Sequence, residues 1–500
     1  MEIQTLILLP TLFVIIGALV MMLLAPIKSI SIRKRSVISL LFLIPAFFIN
    51  VLLLGEAFSY YVIPEYLNNM FIVDTFSVLL SSFLILGAIL TILLGQFYYE
   101  MNTYFVTEYF PLLLFALFGM MMLVMSNELI TLFVALEIAS ISIYILVGLN
   151  KNTQRGSEAL FKYLILGSFM GAFFLFGTVL IYAFAGTTSL PELAYYINTH
   201  ATEDFSLIII GGTLIMITIM FKIAAFPFHS WSLDIYTGTS MPVTAFMAST
   251  FKMAIFAVAL RIFLVDFSLI ADVWDTLLVI TAVVTLLAGS LLTLSQTNLK
   301  RMLVSSSIVH SGYLLIALAS MGAGNHEGAP AIIFYLIAYF MTAIGTFGLL
   351  SYIVAGDTKK VHYEDFKGLA YKRPVMAAIM SIFMLSFAGF PSTIGFLGKF
   401  YIFTAAIEAG YIYLAVLGVL AAFVSVYYYF KLIVMMYFYP ASHEFAKRNR
   451  LELAPILIGV LAFAILWGGI GNMLITLLPG ATVFIEMAKL SVESLTLHIQ

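Results

Sequence analysis

Residues 206–238 read SLIIIGGTLIMITIMFKIAAFPFHSWSLDIYTG, an apolar run that contains a lysine and a proline near its middle. The run is longer than the roughly 20 residues that an α-helix needs to cross a bilayer. Lys222 lies inside it, and Pro227 follows five residues later. Proline interrupts helical hydrogen bonding, and irregular backbone at membrane depth is tolerated only where protein or a wet cavity surrounds it. The stretch therefore predicts a broken transmembrane helix inside a helical bundle.

A second stretch has the same features in reverse order. Residues 389–400 read GFPSTIGFLGKF, so Pro391 precedes Lys399 by eight residues. Two interrupted helices five spans apart predict an inverted repeat, with one unit at residues 106–265 and the other at 272–437. Each unit would hold five helices, and an odd number forces opposite orientations in the membrane. Two unrelated proline kinks are the alternative.

Composition fixes the class of protein. The chain has 500 residues, of which 63% are hydrophobic and only 10% are charged, whereas soluble domains carry about 25% charged residues. The net charge of −2 argues against nucleic-acid binding. The chain has no cysteine, which excludes disulfides, cysteine-bound clusters and thiolate catalysis. We expect one all-α polytopic membrane domain without a soluble domain.

Long apolar runs of helical length predict fourteen transmembrane spans. Their approximate limits are residues 3–25, 36–55, 73–97, 107–126, 128–149, 157–185, 206–238, 241–265, 272–297, 302–321, 330–355, 374–409, 411–437 and 451–478. The three spans of residues 1–105 precede the first repeat. The last span lies in residues 451–500, where residues 480–500 are expected to form a short interfacial helix.

Basic residues predict the orientation of the spans. Lys and Arg concentrate in cytoplasmic loops of membrane proteins, and here the loop cations follow only odd-numbered spans. They are Lys28, Arg33, Lys34, Arg35, Lys151, Arg155, Lys300, Arg301, Lys359, Lys360, Lys367, Lys372, Arg373, Lys447, Arg448 and Arg450. This alternation places both termini on the non-cytoplasmic side.

A few charges remain inside the predicted spans. They are Glu137, Lys162, Lys222, Lys252, Lys399 and Lys431. A charge at the bilayer centre costs about 2.5–3.5 kcal/mol on insertion scales, and such residues usually line ion or proton pathways. Lys162 and Lys431 lie near span ends, so interfacial anchoring is an alternative for both. The remaining four are too deep for that explanation.

The choice of lysine favours proton transfer over static ion pairing. Burial brings the pKa of an amine toward neutrality and a nearby carboxylate raises it again, whereas arginine stays charged. A row of such lysines passes protons laterally through ordered water. His310 and His229 are further relay candidates, and hydrogen-bonded packing is an equal alternative for each. The sequence contains no nucleotide, flavin or metal motif.

Five segments resemble one family of membrane proteins. They are FVALEIASISIYILVGL at 133–149, SEALFKYLILGS at 157–168, FKIAAFPFHSWSLDIYTGTSMPVTAFMAS at 221–249, KRMLVSSSIVHSGYLL at 300–315 and GFPSTIGFLGKFYIF at 389–403. The chain is similar to the antiporter-like proton-channel subunits of respiratory complex I and to related Mrp-type cation/proton antiporters. Lysine at 399 and the lack of a long C-terminal lateral helix favour the N type among the complex I subunits.

The resemblance implies a role for each buried charge. Glu137 and Lys162 would form a pair, Lys222 would be the central lysine, Lys252 the connecting lysine, and Lys399 the residue that exchanges protons with the outside. Lys431 stands near a position that is usually arginine in the family, so its role is open.

The resemblance also implies partners and a location. NADH, FMN, Fe–S clusters and quinone would belong to partner subunits of a hetero-oligomer in a bacterial inner membrane, and this chain would hold no cofactor and contact other membrane subunits and lipid. The alternatives are a subunit of an Mrp-type Na⁺/H⁺ antiporter and a membrane scaffold that transports nothing.

Overall fold

The protein is described by a computed structural model that covers ten stretches of the chain. They are residues 7–55, 70–101, 106–150, 153–200, 205–263, 271–321, 327–355, 361–441, 453–474 and 480–496. Within these stretches the chain is overwhelmingly helical, and its extended pairings are three isolated β-bridges. The prediction of an all-α protein is confirmed.

The main helices follow one another along the chain. They are α1 Leu9–Leu24, α2 Ile32–Gly55, α3 Thr75–Met101, α4 Tyr109–Met125, α5 Leu129–Val147, α6 Gln154–Ala185, α7a Ser206–Lys222, α7b Ser230–Gly238, α8 Met241–Arg261, α9 Ala271–Leu294, α10 Leu299–Met321, α11 Gly328–Val354, α12a Pro374–Ala388, α12b Ile394–Glu408, α13 Ile412–Phe438, α14 Leu453–Leu474 and α15 Ala481–Thr496. In the described chain, 10 helices are long and apolar enough to cross a membrane. Four shorter apolar helices, α1, α4, α7a and α12a, lie at other predicted spans, so the total of fourteen stays a prediction.

Both predicted helix breaks are present. Helix α7a ends at Lys222, and Ala224 in the break has a left-handed φ of 56°. Helix α12a ends before Gly389, whose φ is 80°, and α12b begins at Ile394. Each break therefore leaves backbone carbonyl groups within reach of side chains deep in the bundle.

Three helices form the centre of the bundle. Helices α8, α10 and α11 are buried along their whole apolar length, whereas α2, α6, α13 and α14 keep large outward-facing surfaces. Helix α8 contains a π-helical segment, Met247–Phe251, directly before Lys252. Such π-segments are frequent at functional sites because they re-aim the following side chains. The central helices thus carry Lys252 and His310 into the interior.

Two matching backbone pairings support the inverted repeat. The amide of Leu129, at the start of α5, donates to Thr188 O at 2.9 Å, and Leu190 donates to Asn127 O at 3.0 Å. In the second repeat, Leu299 at the start of α10 donates to Val361 O at 2.7 Å, and Tyr363 donates to Thr297 O at 3.4 Å. Helices α5 and α10 therefore begin with the same local geometry, although the limits of the repeats stay a prediction.

The structure corrects the placement of several cations that were predicted to lie in loops. Helix α2 begins at Ile32 and α10 at Leu299, three or four residues before the predicted starts, so their flanking basic residues are helical. Arg35 is fully buried and donates to the carbonyl groups of Leu24, the last residue of α1, and of Ile27 in the following loop. Lys300 is only 5% exposed. The methylene groups of both side chains can be buried against apolar neighbours, while the ammonium of Lys300 and the guanidinium of Arg35 donate to backbone carbonyl oxygens.

Candidate functional site: a row of buried lysines

Lys222 is the last residue of α7a and is 4% exposed. Its Nζ donates to Ser140 Oγ at 2.8 Å and to Tyr144 OH at 2.9 Å, both on α5. The ammonium also lies 5.1 Å from the centroid of the Tyr144 ring and 6.0 Å from that of Phe251. Hydroxyl groups and aromatic faces thus surround the charge.

Lys252 follows the π-helical segment of α8 and is 3% exposed. Its Nζ donates to Ser307 O at 2.7 Å and to Ser311 Oγ at 2.9 Å on α10. The Ser311 hydroxyl donates in turn to Ile223 O at 2.8 Å, which is the first carbonyl of the α7 break. One serine of α10 therefore joins the Lys252 ammonium to the backbone carbonyl of the residue that follows Lys222.

Lys399 lies in the second turn of α12b and is 4% exposed. Its Nζ donates to Phe387 O at 2.8 Å and to Ala388 O at 3.0 Å. These carbonyl groups end α12a, where the helix dipole favours a positive charge. The break in α12 thus supplies the acceptors for the lysine that the sequence places beside it.

His310 lies between the second and third lysines. Its two ring nitrogens are hydrogen-bonded to Tyr335 OH and, at 3.1 Å, to Tyr429 OH. The imidazole packs 4.9 Å from the ring of Tyr339, over which Lys252 Nζ lies, and 5.2 Å from the ring of Phe387, whose carbonyl binds Lys399. The geometry therefore gives the order Lys252, His310, Lys399 along the bundle.

The three lysines share a chemical property. In the described chain, the hydrogen bonds of Lys222, Lys252 and Lys399 go to hydroxyl and carbonyl oxygens, with no carboxylate among them. Because neutral acceptors leave no buried counter-charge behind, the amine can lose its proton without stranding an anion.

The buried arginine at the C-terminal end of α8 shows the opposite arrangement. Arg261 Nη2 lies 3.2 Å from Asp74 Oδ2 and 2.9 Å from Val124 O, with side-chain exposures of 3% and 2% for the two charged partners. Asp74 also accepts from the amide of Ser77 at 2.8 Å and so caps α3. This ion pair fixes helices to each other, whereas the described hydrogen bonds of the three lysines go to neutral oxygens.

Glu137 lies on the same face of α5 as the acceptors of Lys222. Ser140 is three residues further along the helix and Tyr144 seven, so the three side chains share a stripe. Glu137 is half-buried, and its Oε1 has no hydrogen-bond partner among the described residues. Helix α6 makes room for this stripe with glycines, because a Cβ at Gly171 would lie 2.9 Å from Glu137 Oε1.

Lys162 does not form the expected pair with Glu137 in this structure. Its Nζ lies 2.6 Å from Glu158 Oε1 and 2.8 Å from Asp234 Oδ2, and 40% of its side chain is exposed. Glu158 is one turn earlier on α6 and Asp234 belongs to α7b. The carboxylates of Glu158 and Asp234 thus hold the Lys162 ammonium at the edge of the helical bundle.

Two other candidates lie at the edges of the row. Lys431 Nζ lies 4.7 Å from the ring of Tyr363, in a half-buried position on α13. His229 directly precedes α7b, and its Nδ1 has no hydrogen-bond partner in the described chain. Neither contacts the three buried lysines through the hydrogen bonds described above.

Lys300 is a buried lysine that the sequence interpretation missed. Its Nζ donates to Thr239 O, just beyond the end of α7b. Its position beside Arg301 made it resemble one of many loop cations. Ser307 and Ser311 follow seven and eleven residues later and lie on the same face of the helix. This spacing is the sequence signal that predicts an inward-facing Lys300.

Comparison with known proteins gives the family. The sequence profile described as "NADH:quinone oxidoreductase/Mrp antiporter, TM" matches residues 126–425, which include every lysine of the buried row. The chain belongs to this family. The resemblance inferred from the sequence motifs is therefore confirmed.

Several relatives of the chain are named NADH-quinone oxidoreductase subunit N. The NADH-quinone oxidoreductase subunit N of Trichlorobacter lovleyi is 38% identical over 427 residues, covering 85% of each chain. That of Rhodospirillum rubrum is 36% identical over 400 residues, covering 80% of this chain and 81% of the relative.

Chains of two solved membrane complexes have the same fold. A chain of respiratory complex I from Thermus thermophilus is 28% identical and superposes with a TM-score of 0.77, over 93% of this chain and 98% of the other. A chain of the Mrp complex from Dietzia superposes with a TM-score of 0.81 over 99% of this chain and 98% of the other, at 21% identity, which is evidence of common fold alone.

Proposed function

We propose that the chain is a proton-translocating membrane subunit of the N type in a respiratory NADH:quinone oxidoreductase. It would act beside other membrane subunits in a hetero-oligomer in a bacterial inner membrane, with both termini outside the cytoplasm. The names of relatives that match over 85% of their length support this assignment, and so does the superposition on a complex I chain.

The observation that carries the proposal is the row of three buried lysines with neutral acceptors. Lys222, Lys252 and Lys399 are each 3–4% exposed, although an unpaired buried charge is expensive. A static cation would be stabilised better by a carboxylate, as Arg261 is by Asp74. Neutral acceptors suit an amine that alternates between its charged and uncharged forms. The neutral amine keeps two N–H groups, which can still donate to the same oxygens.

The proposed pathway runs across the bundle. Glu137 on α5 would set the charge state of Lys222 from one end, because Ser140, an acceptor of Lys222, is one turn away from it. Protons would pass from Lys222 to Lys252 beside Ser311, then along His310 to Lys399 at the second break. Lys162 would act at the cytoplasmic rim, and Lys431 stays the least supported member.

The chemistry that drives this transfer would take place in partner subunits. NADH oxidation and quinone reduction need flavin, iron–sulfur clusters and a quinone site, which we assign to other chains of the complex. This chain would contribute electrostatic coupling, because a change in charge at Glu137 alters the proton affinity of the nearest lysine and so of the next in the row.

The proposal is tested with Lys222→Ala and Glu137→Ala in the whole complex. We expect NADH:quinone reductase activity and NADH-driven proton pumping of native membranes to fall by at least tenfold in Lys222→Ala. Lys34→Ala serves as the control, because Lys34 is exposed on the first turn of α2. Unchanged coupled activity in both Glu137→Ala and Lys222→Ala would refute the proposed roles.

The same preparation separates the proposal from an Mrp-type antiporter. Proton movement that starts on addition of NADH and stops with a quinone-site inhibitor supports the redox-driven subunit. Proton movement that needs a Na⁺ gradient and ignores NADH would instead assign the chain to a cation/proton antiporter.

A further inference from the structure

The proton pathway leaves a cavity between α11, α12b and α15 without a role. The cavity has a volume of about 470 Å³, which lies within the roughly 300–1,000 Å³ that is usual for small-molecule sites. Its lining includes Glu327, Phe334, Tyr401, Glu408 and Lys489. Two carboxylates and an ammonium therefore share one cavity with two aromatic rings.

The charged residues of the cavity lie at its outer end. Glu327 directly precedes α11, Glu408 is the last residue of α12b, and Lys489 belongs to α15. All three lie at or after the ends of even-numbered predicted spans, so the loop cations assign them to the non-cytoplasmic face. Lys489 Nζ lies 3.9 Å from Glu327 Oε2, and both side chains are more than half exposed. Water screens this long contact, so the pair opens easily for a ligand.

The rest of the lining is largely apolar and reaches into the membrane. Phe334 is seven residues after Glu327, and Tyr401 is seven residues before Glu408, which corresponds to about 10 Å of helix in each case. The rings of Phe334 and Tyr401 meet edge to face with 5.2 Å between their centroids. The headgroup layer of a bilayer is about 5–8 Å thick on each side of the hydrocarbon core. The cavity therefore spans that layer and reaches the depth at which acyl chains begin.

Helix α15 forms the third wall and is fixed to the bundle. The amide of Phe76 in α3 donates to Ser494 Oγ of α15 at 3.2 Å. Ile485 and Lys489 are one turn apart on α15, and both line the cavity. The helix therefore holds the Lys489 ammonium beside the two carboxylates.

Large exposed apolar side chains adjoin the charged residues. Ile407 directly precedes Glu408, and Leu490 directly follows Lys489. Phe400, one turn and three residues before Ile407 on α12b, is exposed as well. A molecule whose polar group occupies the cavity can therefore lay apolar chains along the adjoining surface, as a lipid of the outer leaflet does.

The charges of the cavity match a headgroup that carries both signs. A primary ammonium can donate to the carboxylates of Glu327 and Glu408, and phosphate oxygens can accept from Lys489. The hydroxyl groups of Tyr401 and Thr404 are further donors in the wall. A headgroup with a phosphate alone would place an anion against two carboxylates, and a quaternary ammonium has no N–H to donate. Ethanolamine phospholipids carry the matching pair, a phosphate and a primary ammonium.

We propose that this cavity binds the headgroup of a phosphatidylethanolamine from the non-cytoplasmic leaflet. The phosphate contacts Lys489, the ammonium contacts Glu408, and the acyl chains run along the exposed apolar surface of α12b. The bound lipid joins α15 to the half-helix that carries Lys399. The proposal is independent of the proton pathway, because the described lining contains no lysine of the buried row.

Headgroup selectivity in the whole complex tests the site. The complex is placed in nanodiscs of dioleoyl phosphatidylcholine with a trace of phosphatidylethanolamine that carries a photoreactive diazirine near the start of one acyl chain. Mass spectrometry then identifies the crosslinked peptides, and we expect those of α11 and α12b that line the cavity. Replacing part of the phosphatidylcholine by unlabelled phosphatidylethanolamine should suppress these crosslinks about two- to fivefold more than replacing it by phosphatidylglycerol.

Two results of this measurement would overturn the proposal. One is equal suppression by phosphatidylethanolamine and phosphatidylglycerol, which would show that the ammonium is not recognised. The other is the absence of crosslinks in the cavity, because a partner subunit that fills the cavity excludes the labelled lipid.

Two substitutions then separate the two charges of the headgroup. Glu408→Gln keeps the size of the side chain but removes its charge, so we expect the preference for phosphatidylethanolamine over phosphatidylcholine to fall about two- to fivefold. Lys489→Gln should weaken the binding of both lipids alike, since each has a phosphate. Glu486→Gln is the matched control, because Glu486 is exposed on α15 but does not line the cavity. An unchanged preference in an assembled Glu408→Gln complex, or an equal fall in Glu486→Gln, would overturn the proposal.

Discussion

The ammonium of Lys252 donates to the Ser311 hydroxyl at 2.9 Å, and that hydroxyl donates to Ile223 O at 2.8 Å. Helix α10 thus joins Lys252 of α8 to the break of α7, one residue beyond Lys222. A lysine and a broken helix would otherwise be separate features of the sequence. The serine makes them parts of one hydrogen-bonded chain.

Removal of this hydroxyl tests the link. Ser311→Ala leaves Lys252 with Ser307 O alone and strips Ile223 O of its donor, and an unsatisfied buried acceptor costs about 1–3 kcal/mol. We expect a severalfold loss of NADH-driven proton pumping in an assembled complex. Ser320→Ala, whose hydroxyl bonds only Ala317 O on the same helix, is the control, and equal pumping by the two variants would contradict the link.

The position of Glu137 depends on a glycine of α6. A Cβ at Gly171 would lie 2.9 Å from Glu137 Oε1, so Gly171→Ala pushes the carboxylate away from its site while the helices stay packed. Because Oε1 is the end of a flexible side chain, it must shift by only about half an ångström, and the expected loss in rate is severalfold. We expect coupled quinone reduction to fall with normal assembly, whereas Gly459→Ala, with open space around its Cβ position, keeps full activity.

His310 is expected to relay protons between Lys252 and Lys399. Gln at this position can still hydrogen-bond Tyr335 OH and Tyr429 OH but does not exchange protons near neutral pH. We therefore expect His310→Gln to assemble and to pump protons more slowly in proteoliposomes. Pumping at the unsubstituted rate would leave His310 with a packing role.

The buried ion pair of Arg261 and Asp74 is expected to stabilise the bundle. Asp74→Asn leaves a buried guanidinium without its anion, which costs about 3–5 kcal/mol. The exposed pair of Arg33 and Glu100 has an N···O distance of 2.9 Å, yet Glu100→Gln should cost less than about 1 kcal/mol. Thermal unfolding of the purified complexes measures both, and equal midpoints would contradict the contrast between the two pairs.

Much of the fold was predictable because the membrane imposes simple rules. Apolar runs of bilayer length give the helices, and Pro227 and Pro391 mark the breaks that the structure has at Lys222 and at Gly389. Helix starts were less predictable. Basic side chains at the membrane surface are compatible with a loop or a first helical turn, and so Arg35 and Lys300 were assigned to loops.

The buried charges were predictable, but their partners were not. Spacing along one helix puts Glu137 beside Ser140, whereas the contact of Lys162 with Asp234 joins residues 72 positions apart. Such contacts depend on how the helices pack. The acceptors of Lys399 are likewise backbone carbonyl groups, which are free to accept a hydrogen bond only because α12 is broken beside them. Side-chain identity does not encode such acceptors.

Proton transfer through the buried lysines is tested by comparing Lys252→Arg with Lys34→Arg in the whole complex, reconstituted in proteoliposomes. The measured quantity is the initial rate of NADH-driven proton translocation. Arginine keeps the charge of Lys252 and can still donate to Ser307 O, but it does not release a proton. We expect a loss of at least tenfold for Lys252→Arg and none for Lys34→Arg. Proton translocation by Lys252→Arg at the unsubstituted rate would contradict proton transfer through these lysines.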